Sequence, residues 1–407
     1  MLFNKPISDL NIDDISTFCK TFDENIRVEY KANLNSVRNN LAKVLSSFAN
    51  SYGGVLIIGV KSEGGKVIFP IRGFNKPSHE EPRVTIQQRC LDQINNPILP
   101  EIKVINITEK RIVILVYVNE SHEAPHSIEN NKSVYIRTGD FSRPYDRADI
   151  DRIEYLFKRR YDAKEKSKLL LSQSIKRLNF FRPQQLPAGT YPEIILIIHP
   201  TFVYHPIIKN TDIDNFMRGR IRIPKIIENL FLTQNLRRLL DSEISIFSDS
   251  KNHFYTELNQ WGYLLHSERI RADTGRNFMI DNQDKTLLNF AHIVISIAKY
   301  IMLIKEVYNY SNFYGSCDFE LHLQSLYHEG LLYRFDIPSD LDFIFQEKNA
   351  KSKIQAYSSK INIELKDIIT DLLHPIVWAF KQSHDSIQRD NVLHNVEDLL
   401  KRNRFIE

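Results

Sequence analysis

"NSVRNNLAKVLSSFANSYGGVLIIGV", residues 35–60, decides the fold of the first third of this chain. Val37, Leu41, Val44, Leu45 and Phe48 recur at helical spacing, and Ser36 stands where an N-cap belongs. Gly53-Gly54 ends that helix, because glycine takes the left-handed C-cap backbone without a Cβ penalty. "VLIIGV" (55–60) is a continuous apolar run bounded by glycines, the pattern of a central strand. Just upstream, in "DENIRVEYKANL" (23–34), Ile26, Val28 and Tyr30 alternate with Arg27, Glu29 and Lys31, the period of a half-buried strand. Strand, helix, strand is a βαβ-like opening.

That first strand sets Glu29 and Lys31 side by side on one face, with Glu24 five residues before Glu29. Spacing alone leaves two readings open: a solvated edge with a salt bridge, or a site that handles phosphates. Further along, "KSEGGK" reads as a loop turning at Gly64-Gly65, and "VTIQQRCLDQI" as a helix stopped by "NNPILP". "IKVINITEKRIVILVYVNE" reads as a hairpin turning at "TEK". "SVYIRTGDFSRP" is a strand running into a Gly-Asp turn, and "DRADIDRIEYLFKRR" a closing helix. Residues 1–22 form a helical lead with Asp13 or Asp14 in its first turn.

The expected fold class is α+β, with an N-terminal α/β domain over 1–157. A basic linking helix and a proline-rich loop over 158–190 precede a second α+β domain over 191–407. In that second half, "EIILIIHPTF", "GYLLHSERI", "FELHLQSL" and "KIQAYSSKINIEL" read as strands, and 287–307, 366–382 and 391–402 as helices. There is no internal repeat and no low-complexity tract.

Composition bounds the function classes. The chain has 407 residues, 42% hydrophobic and 26% charged, which is an ordinary globular composition of a length for two domains. A net charge of +4 permits a nucleic-acid partner without demanding one. Cys19, Cys90 and Cys317 are few, odd in number and far apart, with no C-x-x-C spacing; a reducing cytoplasm fits them. The N-terminus lacks the basic start and apolar core of a signal peptide. "AHIVISIAKYIMLI" (291–304) contains His292 and Lys299 and is too short to span a bilayer, so it reads as a buried helix. No P-loop, G-x-S-x-G or helicase-like signature is present, which argues against an ATP motor or a serine hydrolase. The histidines are scattered and read as structural.

Several ordered pieces carry a family resemblance. Glu24-(four residues)-Glu29 with Lys31 looks like E-x-x-x-x-E-[FY]-K. "SSFANSYGGVLIIGV" (46–60) is similar to A-F-A-N-[ST]-x-G-G-x-L-x-I-G-V, Gly73-Phe74 fits the glycine after a hairpin loop, and "PHSIENNKSVYIRTGDFSRPYDRADI" fits a closing Y-I-R-x-G-x-x-x-x-P segment. In order and spacing the first 150 residues resemble the Schlafen AlbA-like domain, somewhat over a third of the chain. The resemblance implies a nucleic-acid or nucleotide ligand. It also implies a metal-dependent endoribonuclease acting on tRNA or other RNA, with defence against phage as a setting. Glu24, Glu29 and Lys31 would be catalytic, and manganese or magnesium the cofactor. The third acid belongs directly after I-G-V, where many members have D-D. Here Lys61 and Ser62 stand there and Glu63 comes one place later, so the implied metal set is Glu24, Glu29 and Glu63. The alternative is a non-catalytic module, either a DNA-binding regulator or a nucleotide (ATP) sensor. With the nuclease reading goes a C-terminal domain that senses a trigger or a protein partner; the protein is expected to be cytoplasmic, with no membrane contact and with homo-oligomer formation open.

Other candidates come from the residues themselves. Asn50, Gly53 and Gly54 make either a plain helix C-cap or a loop whose N–H groups face a phosphate. Arg137 and Arg143 flank the Gly139-Asp140 turn and are either phosphate contacts or solvated arginines. Arg218, Arg220 and Arg222 alternate, so a strand would set three guanidiniums on one face, toward a phosphate backbone or toward an acidic partner. The basic linking segment is either a solvated helix face or a nucleic-acid contact.

Overall fold

The computed structural model describes residues 3, 7–77, 81–128, 132–140, 142–181, 191–203, 206–209, 212–213, 215, 236–239, 244–249, 254–270, 272–280, 283–311, 313, 315–328, 331–336, 343–344, 347–379 and 388–406. Helices and sheets mix throughout, the α+β class expected. The chain divides into two units, Met1–Ala163 and Lys164–Glu407. No helix among the described residues is long and apolar enough to cross a membrane.

In the first unit the strands are β1 (Val28–Lys31), β2 (Gly54–Ile58), β3 (Ser62–Glu63), β4 (Lys66–Val67), β5 (Phe74–Asn75), β6 (Ile94–Asn95), β7 (Glu101–Thr108), β8 (Arg111–Val118), β9 (Ser127–Ile128), β10 (Ser133–Arg137) and β11 (Tyr145–Arg147). The helices are α1 (Ile12–Thr21), α2 (Leu34–Val37), α3 (Leu41–Asn50) and α4 (Pro82–Gln93), and α5 (Ile150–Phe181) begins in it. β1 and β2 are parallel, with Glu29 opposite Leu56 and Lys31 opposite Ile58, as a βαβ opening requires. β2 then pairs antiparallel with β8, and β8 with β5 and β7. A smaller sheet runs in the order β11-β10-β9-β6.

Alternate residues of a strand point to opposite faces, and here both faces are covered. On one, Ile15, Phe18 and Cys19 of α1 pack on Val28, Tyr30, Val55, Ile57 and Leu115. On the other, Leu41, Val44, Leu45 and Phe48 of α3 pack on Leu56, Ile58, Ile114 and Val116. This double cover is why β2 reads as an unbroken apolar run.

Four local expectations change. Ser36 is not the cap of the long helix. Asn33 caps the four-residue α2, accepting from Ser36 N–H at 2.8 Å, and Ser36 sits at the third helical position of a capping box. The chain turns through exposed Arg38, Asn39 and Asn40 before α3 begins. "KSEGGK" is a small hairpin, β3 with β4, turning at two positive-φ glycines. The closing helix and the basic linking segment are one unbroken helix, α5, with nine basic and four acidic residues. Two of its cations are structural within their own units: Arg159 pairs with Glu120 at 2.5 Å, and Arg177 with buried Glu257 at 2.7 Å.

The fourth change lies in the second unit. The strand expected to run through "KINIEL" stops at Tyr357, and Ile361–Ala379 is a helix. Ile361, Leu365, Ile368, Ile369 and Leu372 fall at helical spacing and are buried in one core. That unit is built on a seven-stranded sheet in which β12 (Glu193–Pro200) pairs antiparallel with Leu264–Arg269 on one side and Ser316–Gln324 on the other. The apolar run at 291–304 lies within the helix Phe290–Tyr310, buried on Leu196, Ile198, Phe319 and Leu321. Histidines serve packing here: His266 stacks on Tyr300 at 3.5 Å, and His199 on Tyr263 at 4.8 Å.

Candidate functional site

Glu29 stands on edge strand β1 yet is only 1% exposed. Its Oε2 lies 2.5 Å from Nη1 of Arg137, and its Oε1 lies 2.9 Å from Nζ of Lys31. Arg137, at the end of β10, is equally buried. It donates Nε to Ile26 O at 3.2 Å and Nη2 to Asn25 O at 3.0 Å, and its guanidinium lies over the Phe48 ring at 4.5 Å. Its backbone N–H donates to Ser51 Oγ at 2.9 Å. The carboxylate is therefore held by a guanidinium and an ammonium: tertiary structure brings Arg137 over the edge strand. The same geometry removes Arg137 as a phosphate contact, because its donors are engaged inside the domain.

Glu24 is half-buried. Its Oε1 accepts from Tyr30 N–H at 2.9 Å and from the Ser62 hydroxyl at 3.1 Å, while its own N–H donates to Gly65 O at 2.8 Å. The β3–β4 hairpin is thus pinned to the segment before β1 through Ser62. Glu63 points elsewhere: it pairs in register with Lys66 and is exposed. Glu24 and Glu29 do share one shallow cleft, with Asn25, Val28, Arg137, Gly139, Asp140 and Pro144. Asp140 is the residue that sequence reasoning passed over. It was legible only as half of a Gly-Asp turn, and the β10–β11 connection carries it to the cleft. Its carboxyl is held below the usual carboxylate range by hydrogen bonds from the Ser142 N–H and hydroxyl, with a contribution from Arg143.

A hard cation needs several converging oxygens. Among the described residues no three His, Cys, Asp or Glu side chains converge to hold one. Glu29 is already bound by two cations, and Glu24 Oε1 by two donors. The residues present do not fit the implied metal: Glu29 is ion-paired with Arg137 and Lys31, and Glu24 is separately hydrogen-bonded to the Tyr30 N–H and the Ser62 hydroxyl.

The "NSYGG" loop is settled by packing. Asn50 is fully buried. Its Nδ2 donates to the carbonyls of His126 and Tyr135, both at 2.9 Å, and its Oδ1 accepts from His126 N–H at 2.8 Å. It stitches the end of α3 to the smaller sheet and has no donor left for a phosphate. Gly53 has φ +68°, and its N–H closes the helix on Phe48 O at 2.9 Å. A Cβ there would lie 2.6 Å from Glu120 N, and one at Gly54 would overlap the Phe48 ring. The plain C-cap reading holds, and these glycines are required by close approach.

Arg143 differs. Its side chain is 69% exposed and paired at the surface with Asp146 at 2.8 Å, so it remains available to a ligand. Arg218, Arg220 and Arg222 lie outside the described residues.

The family described as Schlafen, AlbA_2 matches residues 24–146. A solved N-terminal domain of a RecG-related protein from Nitrosomonas europaea is similar at 21% identity, with a TM-score of 0.23, over 27% of this chain and 74% of that one. The DIP2311 protein from Corynebacterium diphtheriae is similar at 18% identity, with a TM-score of 0.24, over 34% of this chain and only 26% of that one. None of the curated proteins compared matches the chain. The matched span covers both Glu24 and Glu29, the "NSYGG" loop and the β10–β11 turn, and the chain carries a Schlafen AlbA-like domain in its first unit.

Proposed function

We propose that the Schlafen AlbA-like domain binds nucleic acid through phosphate contacts and does so without cleaving it. The observation that carries the non-catalytic reading is the buried Glu29, bound by both Arg137 and Lys31. A carboxylate held in this way orders the fold and has little left to offer an ion or a water. The nucleic-acid part rests on the family match, and Arg143, exposed at the β10–β11 turn, supports it. The ligand meets the domain through solvent-facing cations, with affinity that falls as salt rises.

A second reading, a metal-dependent endoribonuclease, is favoured by one observation: Glu24, Glu29 and Asp140 line the same cleft, where an ion would have to displace the Arg137 and Lys31 contacts of Glu29. One experiment separates the two. Purified protein is incubated with total tRNA and with single-stranded DNA, in manganese, in magnesium and in EDTA, and scored for both retention and cleavage. Retention without cleavage in every condition supports the binding module. Cleavage that EDTA stops, and that Glu29→Gln abolishes while retention persists, supports the nuclease and refutes the first reading. Preference for tRNA over DNA is read from the same gel. No retention of either polymer ends the nucleic-acid proposal.

A further inference from the structure

The β3–β4 hairpin and the loop after it present an outer face that the fold does not use. In the hairpin register Ser62 faces Val67, and Glu63 faces Lys66. The hydrogen bond from Ile68 N–H to Lys61 O, at 2.9 Å, extends that ladder by one pair. Side chains opposite one another share a face. Ser62 and Val67 therefore point inward: Ser62 donates to Glu24, and Val67 packs against the core that contains Tyr30 and Val55. Lys61, Glu63, Lys66 and Ile68 point outward and are exposed.

Two adjacent large apolar residues are exposed here, Ile68 at 47% on that outer face and Phe69 at 42% in the bend that follows it. Around them Lys61, Lys66 and Arg72 are exposed against the single acid Glu63. An exposed aromatic beside an aliphatic neighbour, within a locally cationic stretch, complements a polyanion whose bases offer flat apolar faces. A duplex hides those faces in its own stack, whereas a single strand leaves them open. The inward pins to Glu24, through Ser62 Oγ and Gly65 O, hold this outer face in a fixed orientation beside the cleft.

We propose that this hairpin arm is the contact for unpaired bases in single-stranded nucleic acid. Phe69 stacks on a base, Ile68 packs beside it, and Lys61, Lys66 and Arg72 take the neighbouring phosphates. The proposal rests on the nucleic-acid reading above and adds to it both a strandedness and a contact surface.

The test uses the full chain and fluorescence anisotropy, with labelled oligo(U) and oligo(dT) strands of about 15 nucleotides and an oligo(dA)·oligo(dT) duplex of that length. Phe69→Ala should weaken single-strand binding about 5- to 150-fold, the loss of one stacked base, with an unchanged salt slope. Phe69→Tyr, which keeps a ring, should bind as the parent does, and duplex binding should be unaffected by either change. Lys61→Ala with Lys66→Ala should flatten the slope of log affinity against log salt by up to about two units. Far-UV circular dichroism on heating checks that each variant is folded; should Phe69→Ala unfold, Phe69→Leu, apolar but without a ring, takes its place. If the parent binds single strands and the ring-deleted variant binds them equally well, the arm is refuted and the nucleic-acid reading survives. If the parent prefers duplex, the proposed strandedness is refuted. If the parent binds no probe at all, both fall.

Discussion

Glu29→Gln separates structure from catalysis in this domain. The substitution keeps the shape and removes the charge. Arg137 would retain its bonds to Asn25 O and Ile26 O, but its side chain, only 2% exposed, would lose its anion. The glutamine oxygen can accept one N–H from Arg137, while its amide group would face Lys31 Nζ, donor against donor. Breaking a buried pair from one side costs about 3–5 kcal/mol. A retained neutral hydrogen bond restores about 1 kcal/mol, which leaves a loss of about 2–4 kcal/mol. At about 3 kcal/mol, local opening rises roughly 150-fold. Amide hydrogen exchange read by mass spectrometry on peptides covering β1 and β10 measures this directly in the full chain. Arg137→Met should cost a similar amount, and the double variant should lose clearly less than the two single losses added, because neither charge is then stranded. Parent-like exchange in Glu29→Gln would refute the reasoning. It would mean that Arg137 does not depend on Glu29, leaving the carboxylate free for a ligand or an ion.

Three further expectations follow from the same network. His126 is buried, and desolvation, working against its hydrogen bond to Asn96 O, pushes its imidazole down to about 4. Its unfolded form protonates near 6.5, so the first unit should hold this stability above that value and lose about 3 kcal/mol as pH falls from 6.5 toward 4; His126→Phe should flatten the loss in hydrogen exchange measured across that range. Asn50→Ala strands two carbonyls and one N–H in the interior and should cost about 3 kcal/mol or more, seen as early thermal unfolding by circular dichroism, whereas a ligand-binding role would move affinity and leave the unfolding temperature in place. Gly53→Ala combines a positive φ with a Cβ 2.6 Å from a backbone nitrogen, and a loss of about 1–3 kcal/mol is expected in the same measurement; an unchanged unfolding temperature would show that the turn relaxes freely.

Much of this protein was legible in its sequence because the signals are local. Period two in "IRVEYK", helical period in "VRNNLAKVLSSF" and the glycine pair before "VLIIGV" each report a backbone preference set within a few residues. Together they determined β1, α3 and β2 and their βαβ-like succession along the chain. The Ser36 and "KINIEL" readings failed where local signals competed: Asn33 offered a better cap, and the burial of Ile361 and Leu365 in a core distant in sequence overrode a strand-like pattern. The site was legible as a set of residues but not as chemistry. Glu29 and Arg137 are separated by 108 positions, and only the close approach of β10 to β1 makes them a buried pair. Asn50, likewise, meets His126 and Tyr135 across 76 and 85 positions. A sequence states which groups carry charge and which can donate. Whether a carboxylate faces water, a cation or a guanidinium depends on which distant segment covers it, and that was decided by tertiary packing alone.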